Sequence, residues 1–324
     1  MSILSKNLGP RRTVAMAAVA TAAALAVAAC GSSSSGGSSA AGSVPGNGLG
    51  GSGVLAQSVY DNAPVASAAD MPAGSTMAMI KQKGQLTIGA ALDAPLLSQQ
   101  DPTNGKIEGF DADLAKLLAK YITGTTNVKT VTIGTQTREA MLSSKQVDAV
   151  FNTYTITPER ASQVAFAGPY MTSGLAVAVK ASDNSIHSVK DLAGKTVIVG
   201  SNTPAVTELP SAAPGSKQVA FGTDPEAVQA LTQGRGVAYV QDLTLLASDA
   251  KANPAIKVVG QPFTTEPYGI GLNHDDAQFK AFVNGWLQKI EADGTWAKVW
   301  KATLGTVVEG TTPTPPAIGS AQGS

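Results

Sequence analysis

Short apolar runs alternate with stretches whose apolar residues recur every three to four positions across residues 86–240, and this alternation constrains the fold more than any other feature. Leu86 to Ala90 reads as a strand. From Asp111, the expected N-cap, Leu114, Leu117, Leu118, Tyr121 and Ile122 fall on one face of a helix at i, i+3, i+4, i+7 and i+8. Val128 to Ile133 reads as a strand, Arg138 to Lys145 as a helix capped by Thr137, and Val147 to Phe151 as a further strand. Two-residue hairpins cannot join parallel strands, so strands separated by helical patterns predict crossover units and an α/β fold.

A second set follows the first. Thr196 to Val199 and Gln218 to Phe221 read as strands. With Asp224 as the expected N-cap and Pro225 at the first helical position, a helix opens that Gly234 stops, and Val237 to Val240 is the next strand. A last helix spans about Asp276 to Asp293, with Phe279, Phe282, Val283, Trp286 and Ile290 facing inward as core. Two such units, joined by the apolar segments Leu175 to Val179 and Tyr268 to Leu272, predict two lobes with two crossing strands and a ligand site in the cleft between them. The expected boundaries are a discontinuous first lobe at 79–175 and 268–306, a second lobe at 176–267, and a disordered tail at 307–324 containing Thr312-Pro313-Thr314-Pro315-Pro316.

Residues 1–29 carry Lys6, Arg11 and Arg12 and no acid, and an alanine-rich uncharged run from Thr13 to Ala29 follows. That run of 17 residues is shorter than a bilayer-crossing helix needs, which predicts a signal peptide. It ends at Val27-Ala28-Ala29-Cys30, which resembles the lipobox of bacterial lipoproteins; the resemblance implies cleavage before Cys30 and its lipidation, including palmitate. Gly or Ser occupies 17 of the 23 positions from Gly31 to Gly53, and residues 30–78 are expected to form the lipidated end and a flexible tether on the order of 40 Å in reach. Gly46, Gly48 and Gly51 match dinucleotide-loop spacing by chance, because no strand precedes them and no helix follows.

Several function classes are excluded by counting. Lys plus Arg and Asp plus Glu number 23 each, so no basic surplus speaks for nucleic acid. One Cys and two His leave no zinc site, redox pair or metal cluster, and no cofactor is expected. Gly194-Lys195-Thr196 imitates the end of a phosphate loop, but Val189 stands where the upstream glycine belongs and a strand follows. No serine elbow, HExxH or Cys/His pair occurs, and His187 and His274 sit in polar surroundings, so an enzyme is not expected.

The most informative stretch is VDAVFNTYTITPERASQVAFAGPY, residues 147–170. A strand runs into Asn152, Thr153, Tyr154 and Thr155, polar groups at a strand C-terminus where α/β folds place ligands. On spacing alone, Arg160 reads first as an exposed helix residue beside Glu159 and second as a bidentate carboxylate clamp. Asp242 reads first as a cap for the helix from Leu243, and Asp93 equally as a turn cap or a ligand contact.

With LTIGAALDAP, GKIEGFDADLAKLLAKYI, DLAGKTVIVGSNTP, GRGVAYVQD, EPYGIGLNHDD and DGTW in this order, residues 80–305 resemble the type II extracytoplasmic solute-binding proteins of amino-acid ABC importers. The NTYTITPER…FAGPY form is similar to glutamate- and glutamine-binding lipoproteins of high-GC Gram-positive bacteria. The resemblance implies a two-lobed periplasmic-binding-protein type II fold, each lobe a mixed sheet flanked by helices, with two hinge strands. It implies Arg160 as the α-carboxylate clamp with Thr155, Thr153 and Thr203 assisting, and Asp242 as partner of the α-ammonium group. Departures bear on specificity: Ala90 and Asp93 replace an acid and an aromatic of basic-amino-acid binders, Ala91 replaces a lysine of glutamate binders, Gly200 one of glutamine binders, and Pro204 removes an N–H. The expected protein is a monomer lipid-anchored at Cys30 to the outer face of the cell membrane, taking a polar amino acid of the glutamate, glutamine or asparagine class to an ABC permease. A sensor lipoprotein and a dehydratase-type enzyme on the same fold are the alternatives.

Overall fold

The structure, a computed structural model, describes residues 53–308 and 310–324; the expected signal peptide, Cys30 and most of the Gly/Ser-rich stretch lie outside them. In chain order the elements are α1 (Gln57–Asp61), α2 (Thr76–Lys83), β1 (Leu86–Ala90), β2 (Asp93–Ala94), β3 (Ser98–Gln100), β4 (Ile107–Glu108), α3 (Phe110–Thr123) and β5 (Val128–Thr132). There follow α4 (Arg138–Ser143), β6 (Ala149–Val150), α5 (Pro158–Ala161), β7 (Ala165–Ser173), β8 (Leu175–Lys180), β9 (Thr196–Gly200), α6 (Ala205–Ala212), β10 (Lys217–Phe221) and α7 (Asp224–Thr232). The chain closes with β11 (Ala238–Asp242), α8 (Leu243–Ala252), β12 (Ile256–Val259), β13 (Glu266–Leu272), α9 (Ala277–Ala292) and α10 (Thr295–Ala302).

Two five-stranded mixed sheets result, ordered β5-β1-β6-β13-β7 and β10-β9-β11-β8-β12. In each, the strands joined through helices pair in parallel, and the returning strands pair antiparallel. The chain crosses between sheets at Gly174, between β7 and β8, and again ahead of β13. The two crossings touch: Leu175 N donates to Thr264 Oγ1 at 2.8 Å, and Phe263 N to Leu175 O at 2.9 Å. Gly174 permits this contact, since a Cβ there would fall 2.3 Å from Thr264 O.

Side-chain alternation explains why the second sheet's strands are apolar throughout. Leu175, Val177 and Val179 pack on one face of β8 while Ala176 and Ala178 pack on the other, and helices cover both faces. In the first lobe α3, α9 and α10 enclose an aromatic core in which Phe110 meets Trp296 edge-on at 5.6 Å and Trp296 Nε1 donates to Tyr170 O.

Several sequence expectations need correction. Asp111 is not the N-cap of α3; Gly109, at φ 125°, holds that place, because a Cβ there would meet the Leu97 backbone at 2.6 Å. Thr137 precedes α4 without a capping hydrogen bond, and Thr223, reciprocally bonded with Glu226, caps α7. The described part of the expected tether is packed structure: Leu55, Tyr60, Ala63, Met71 and Met77 are buried in the first lobe's core. Tyr60 there donates to Asp113 Oδ1 at 2.6 Å. The expected disordered tail also packs, with Ile318 against the core and Gly319 N donating to Gly168 O. Its few apolar residues are too sparse to show a period, so their packing is decided by distant partners.

Candidate functional site

The junction of the lobes is built from loops at strand C-termini. After β6 the chain runs through Asn152 to Thr155, and Thr153 adopts φ 43°, an uncommon conformation for a β-branched residue. Asp111 holds it there: its Oδ2 accepts from Thr153 N and its Oδ1 from the Tyr170 hydroxyl, each at 2.8 Å. Burial pushes the Asp111 carboxyl up to about 6, against the lowering effect of those two donors.

Arg160 sits on the short helix α5, whose N-cap Thr157 accepts from Arg160 N. It is buried, not exposed beside Glu159. Its Nη1 donates to Thr155 O at 2.8 Å within the first lobe, and its Nη2 donates across the cleft to Asn202 O at 2.7 Å. Asn202 belongs to the second lobe's turn after β9, at φ 55°. Arg138, at the start of α4, points to the same place: its Nη2 donates to Asn202 O at 3.2 Å and its guanidinium lies 4.1 Å from the Tyr154 ring centroid. Burial and the neighbouring Arg160 lower Arg138 to about 10, which leaves it charged at neutral pH. Asn202 Nδ2 to Thr135 O and Thr135 Oγ1 to Ser201 O, each 2.7 Å, complete the bridge between lobes.

Asp242 ends β11 and occupies the N-cap position of α8, yet its side chain makes no capping bond. It is 3% exposed, and its Oδ1 has no hydrogen-bond partner. Burial, then the charge of Glu266, push its carboxyl up to about 7, while Tyr268, Arg160 and Arg138 act in the opposite direction. Two cations and a buried anion thus share one junction. Thr203 sits in the same turn as Asn202, its hydroxyl donating to Gly200 O at 2.8 Å. A Cβ at Gly200 would lie 2.9 Å from Thr203 Cγ2 and 3.0 Å from Gln241 Nε2, so a longer residue there would have to displace both side chains.

Two cavities flank this junction. The larger, about 810 Å³, opens outward and is lined by Thr155, Arg160, Asn202, Thr203 and Glu266, among others. The smaller, about 70 Å³, lies between the lobes and is walled by Asp93, Thr153, Thr203, Asp224 and Tyr239, among others. Arg160 and Thr155 therefore meet Thr203 at the first cavity, Asp93 and Thr153 meet it at the second, and Asp242 lines neither. Sequence reasoning missed Arg138, Asn202 and Asp224 as site residues. Arg138 had no signal beyond a helix start, and the Asn202 group that the two arginines share is a backbone carbonyl, which any residue at that turn would present. Among the described residues no group of three His, Cys, Asp or Glu side chains could hold a metal ion, and no helix is long and apolar enough to cross a membrane.

Comparison with known proteins places this arrangement. The family model of bacterial extracellular solute-binding proteins, family 3, matches residues 86–305. A glutamine-binding protein of Geobacillus stearothermophilus is 38% identical over 209 residues, 64% of this chain and 79% of that protein. The glutamate-binding protein GluB of Corynebacterium efficiens is 30% identical over 264 residues, 76% of this chain and 89% of that protein. The crystal structure of the solute receptor for L-cysteine of Neisseria gonorrhoeae superposes with a TM-score of 0.67 at 34% identity, covering 72% of this chain and 95% of that one. The fold is the two-lobed type II binding-protein fold that the sequence led us to expect. The chain belongs to the bacterial extracellular solute-binding proteins, family 3.

Proposed function

We propose that the chain captures a polar amino acid of the glutamate, glutamine or asparagine class between its lobes and hands it to an ABC permease. Cys30 anchors it by lipid to the outer face of the cell membrane, and it works as a monomer and not as an enzyme. The observation that carries this reading is the charge arrangement at the lobe junction: the Arg160 guanidinium bridges the lobes, and the buried Asp242 keeps a carboxylate oxygen without a partner. A zwitterion needs one cation and one anion in that relation. Arg160 clamps the α-carboxylate with Thr155, Thr153 and Thr203 assisting, exchanging its bonds to the Thr155 and Asn202 carbonyls for a bidentate charged pair. Asp242 takes the α-ammonium group. The relatives named as glutamine- and glutamate-binding proteins support an amino-acid ligand.

Calorimetry on protein stripped of ligand by unfolding and refolding tests the reading. One or a few amino acids should bind, and Arg160→Ala should weaken them by about 30-fold or more, since truncating one member of a buried charge pair costs about 2–5 kcal/mol. Wild-type affinity in Arg160→Ala would refute the assignment.

A further inference from the structure

The guanidinium that bridges the lobes stands on a helix with little to hold it. With four residues, α5 is too short to be stable by its own hydrogen bonds. Thr157 Oγ1 accepts from Arg160 N at 3.2 Å and Thr157 O from Ala161 N at 2.9 Å, and the turn otherwise depends on what packs against it. Thr157, Pro158, Glu159 and Arg160 line the larger cavity, whereas Ala161 does not. Ala161 packs instead on the small core that contains Ile156, Val164 and Phe166.

The segment from Ala317 to Ser324 lies beyond the family match, which ends at residue 305, and it reaches this same core. Ala321 packs on it beside Ala161. Gly323 comes closest to the helix: a Cβ there would fall 2.7 Å from Ala161 Cβ and 3.5 Å from both Ile156 Cγ2 and Thr157 O, and its φ of 102° favours glycine as well. The segment is fixed at further points. Ile318 packs against the first lobe's core, and Gly319 N donates to Gly168 O at 2.9 Å. Gly168 is in turn tied to α9, its N donating to Asn284 Oδ1 at 2.8 Å. Ser324 folds back on Ala321 O, to which its N donates at 3.0 Å and its hydroxyl at 2.7 Å. Residues 317–324 line neither cavity, so their route to a bound ligand is through α5.

We propose that residues 317–324 are a positioning strap for Arg160: by packing on Ile156, Thr157 and Ala161 they hold the α5 turn in the place from which the guanidinium reaches the cleft, and so raise the affinity for the ligand's carboxylate. The inference rests on the amino-acid-binding reading above. It adds to it a segment that touches no ligand. A planar fork needs a fixed base to meet a carboxylate with two parallel bonds, and the strap supplies part of that base.

The test compares the full chain with Gly323→Val and with a chain shortened by residues 317–324. Hydrogen exchange without added amino acid should quicken about tenfold or more at the amides of residues 160–164 in both variants, and stay unchanged in α3 and β1. Calorimetry after unfolding and refolding, with the standard amino acids as probes, should show the tightest of them bound about tenfold more weakly by either variant. In Arg160→Lys, whose flexible stem and point charge tolerate a displaced base, the same shortening should change affinity by less than about threefold. Unchanged exchange at residues 160–164, or affinities within twofold of the intact chain in both variants, would overturn the strap. An equal loss in Arg160→Lys would overturn its action through the guanidinium. Absence of binding by any amino acid to the intact chain would instead overturn the amino-acid reading, and the exchange result alone would then decide whether the segment holds α5.

Discussion

Acidification should weaken ligand binding through Asp242. In the closed cleft its carboxyl, 3% exposed, is pushed up to about 7 by burial and by the charge of Glu266. A ligand ammonium set against it favours the charged form, so below pH 7 binding must expel the proton that Asp242 carries. Each pH unit below 7 then costs about 1.4 kcal/mol, and affinity at pH 5 should be up to about 100-fold lower than at pH 8. The sign for stability is opposite. A carboxyl raised in the folded state from 3.8 to about 7 disfavours the fold as it ionises, so protein assayed without added amino acid should lose up to about 4 kcal/mol as pH rises through that window. Calorimetry from pH 5 to 8 reads the first effect, with Asp242→Asn as the comparison, which should bind weakly and with little pH dependence. A wild-type affinity constant that stays within twofold across the range would refute the pairing of Asp242 with the ammonium group.

Two further perturbations address the frame around the site. Gly174→Ala would place a Cβ 2.3 Å from Thr264 O and 3.0 Å from Pro262 Cβ, forcing the crossing strands apart; a loss of about 1–3 kcal/mol is expected from the denaturant midpoint, and unchanged stability would show that the crossings can slide. A chain beginning at residue 80 loses the buried Tyr60 and Met77 and the Thr76 hydroxyl that donates to Asp276, so it should be less stable by about 4 kcal/mol or more than one beginning at residue 54. Equal melting temperatures would mean that this segment contributes nothing to the first lobe.

Most of the α/β alternation was legible because it is written in local periods. Leu114, Leu117, Leu118, Tyr121 and Ile122 share one helical face and are all buried in α3, and α9 begins next to Asp276, where the helix was expected to start, with the Asp276 carboxylate accepting from Phe279 N. Other elements were illegible for equally physical reasons. The helix α10 has too few residues to establish a period, and Trp296 finds its place only through Phe110, Tyr170 and Trp300. Asp111 was mistaken for a cap because an aspartate before an apolar run has that preference locally, whereas its two partners lie 42 and 59 positions away.

The sequence by itself determined the strand and helix types, the two-unit division and the chemistry available at the cleft, because propensity, periodicity and residue charge act over neighbours along the chain. Tertiary structure alone decided which of those charges meet. Arg138 and Arg160 converge on the Asn202 carbonyl only once the two sheets are joined through Gly174, and Asp93 and Asp224 come to line one cavity only where the two lobes meet. Burial then raised Asp242 and left one of its oxygens unpartnered, an electrostatic state set by the removal of water from around it.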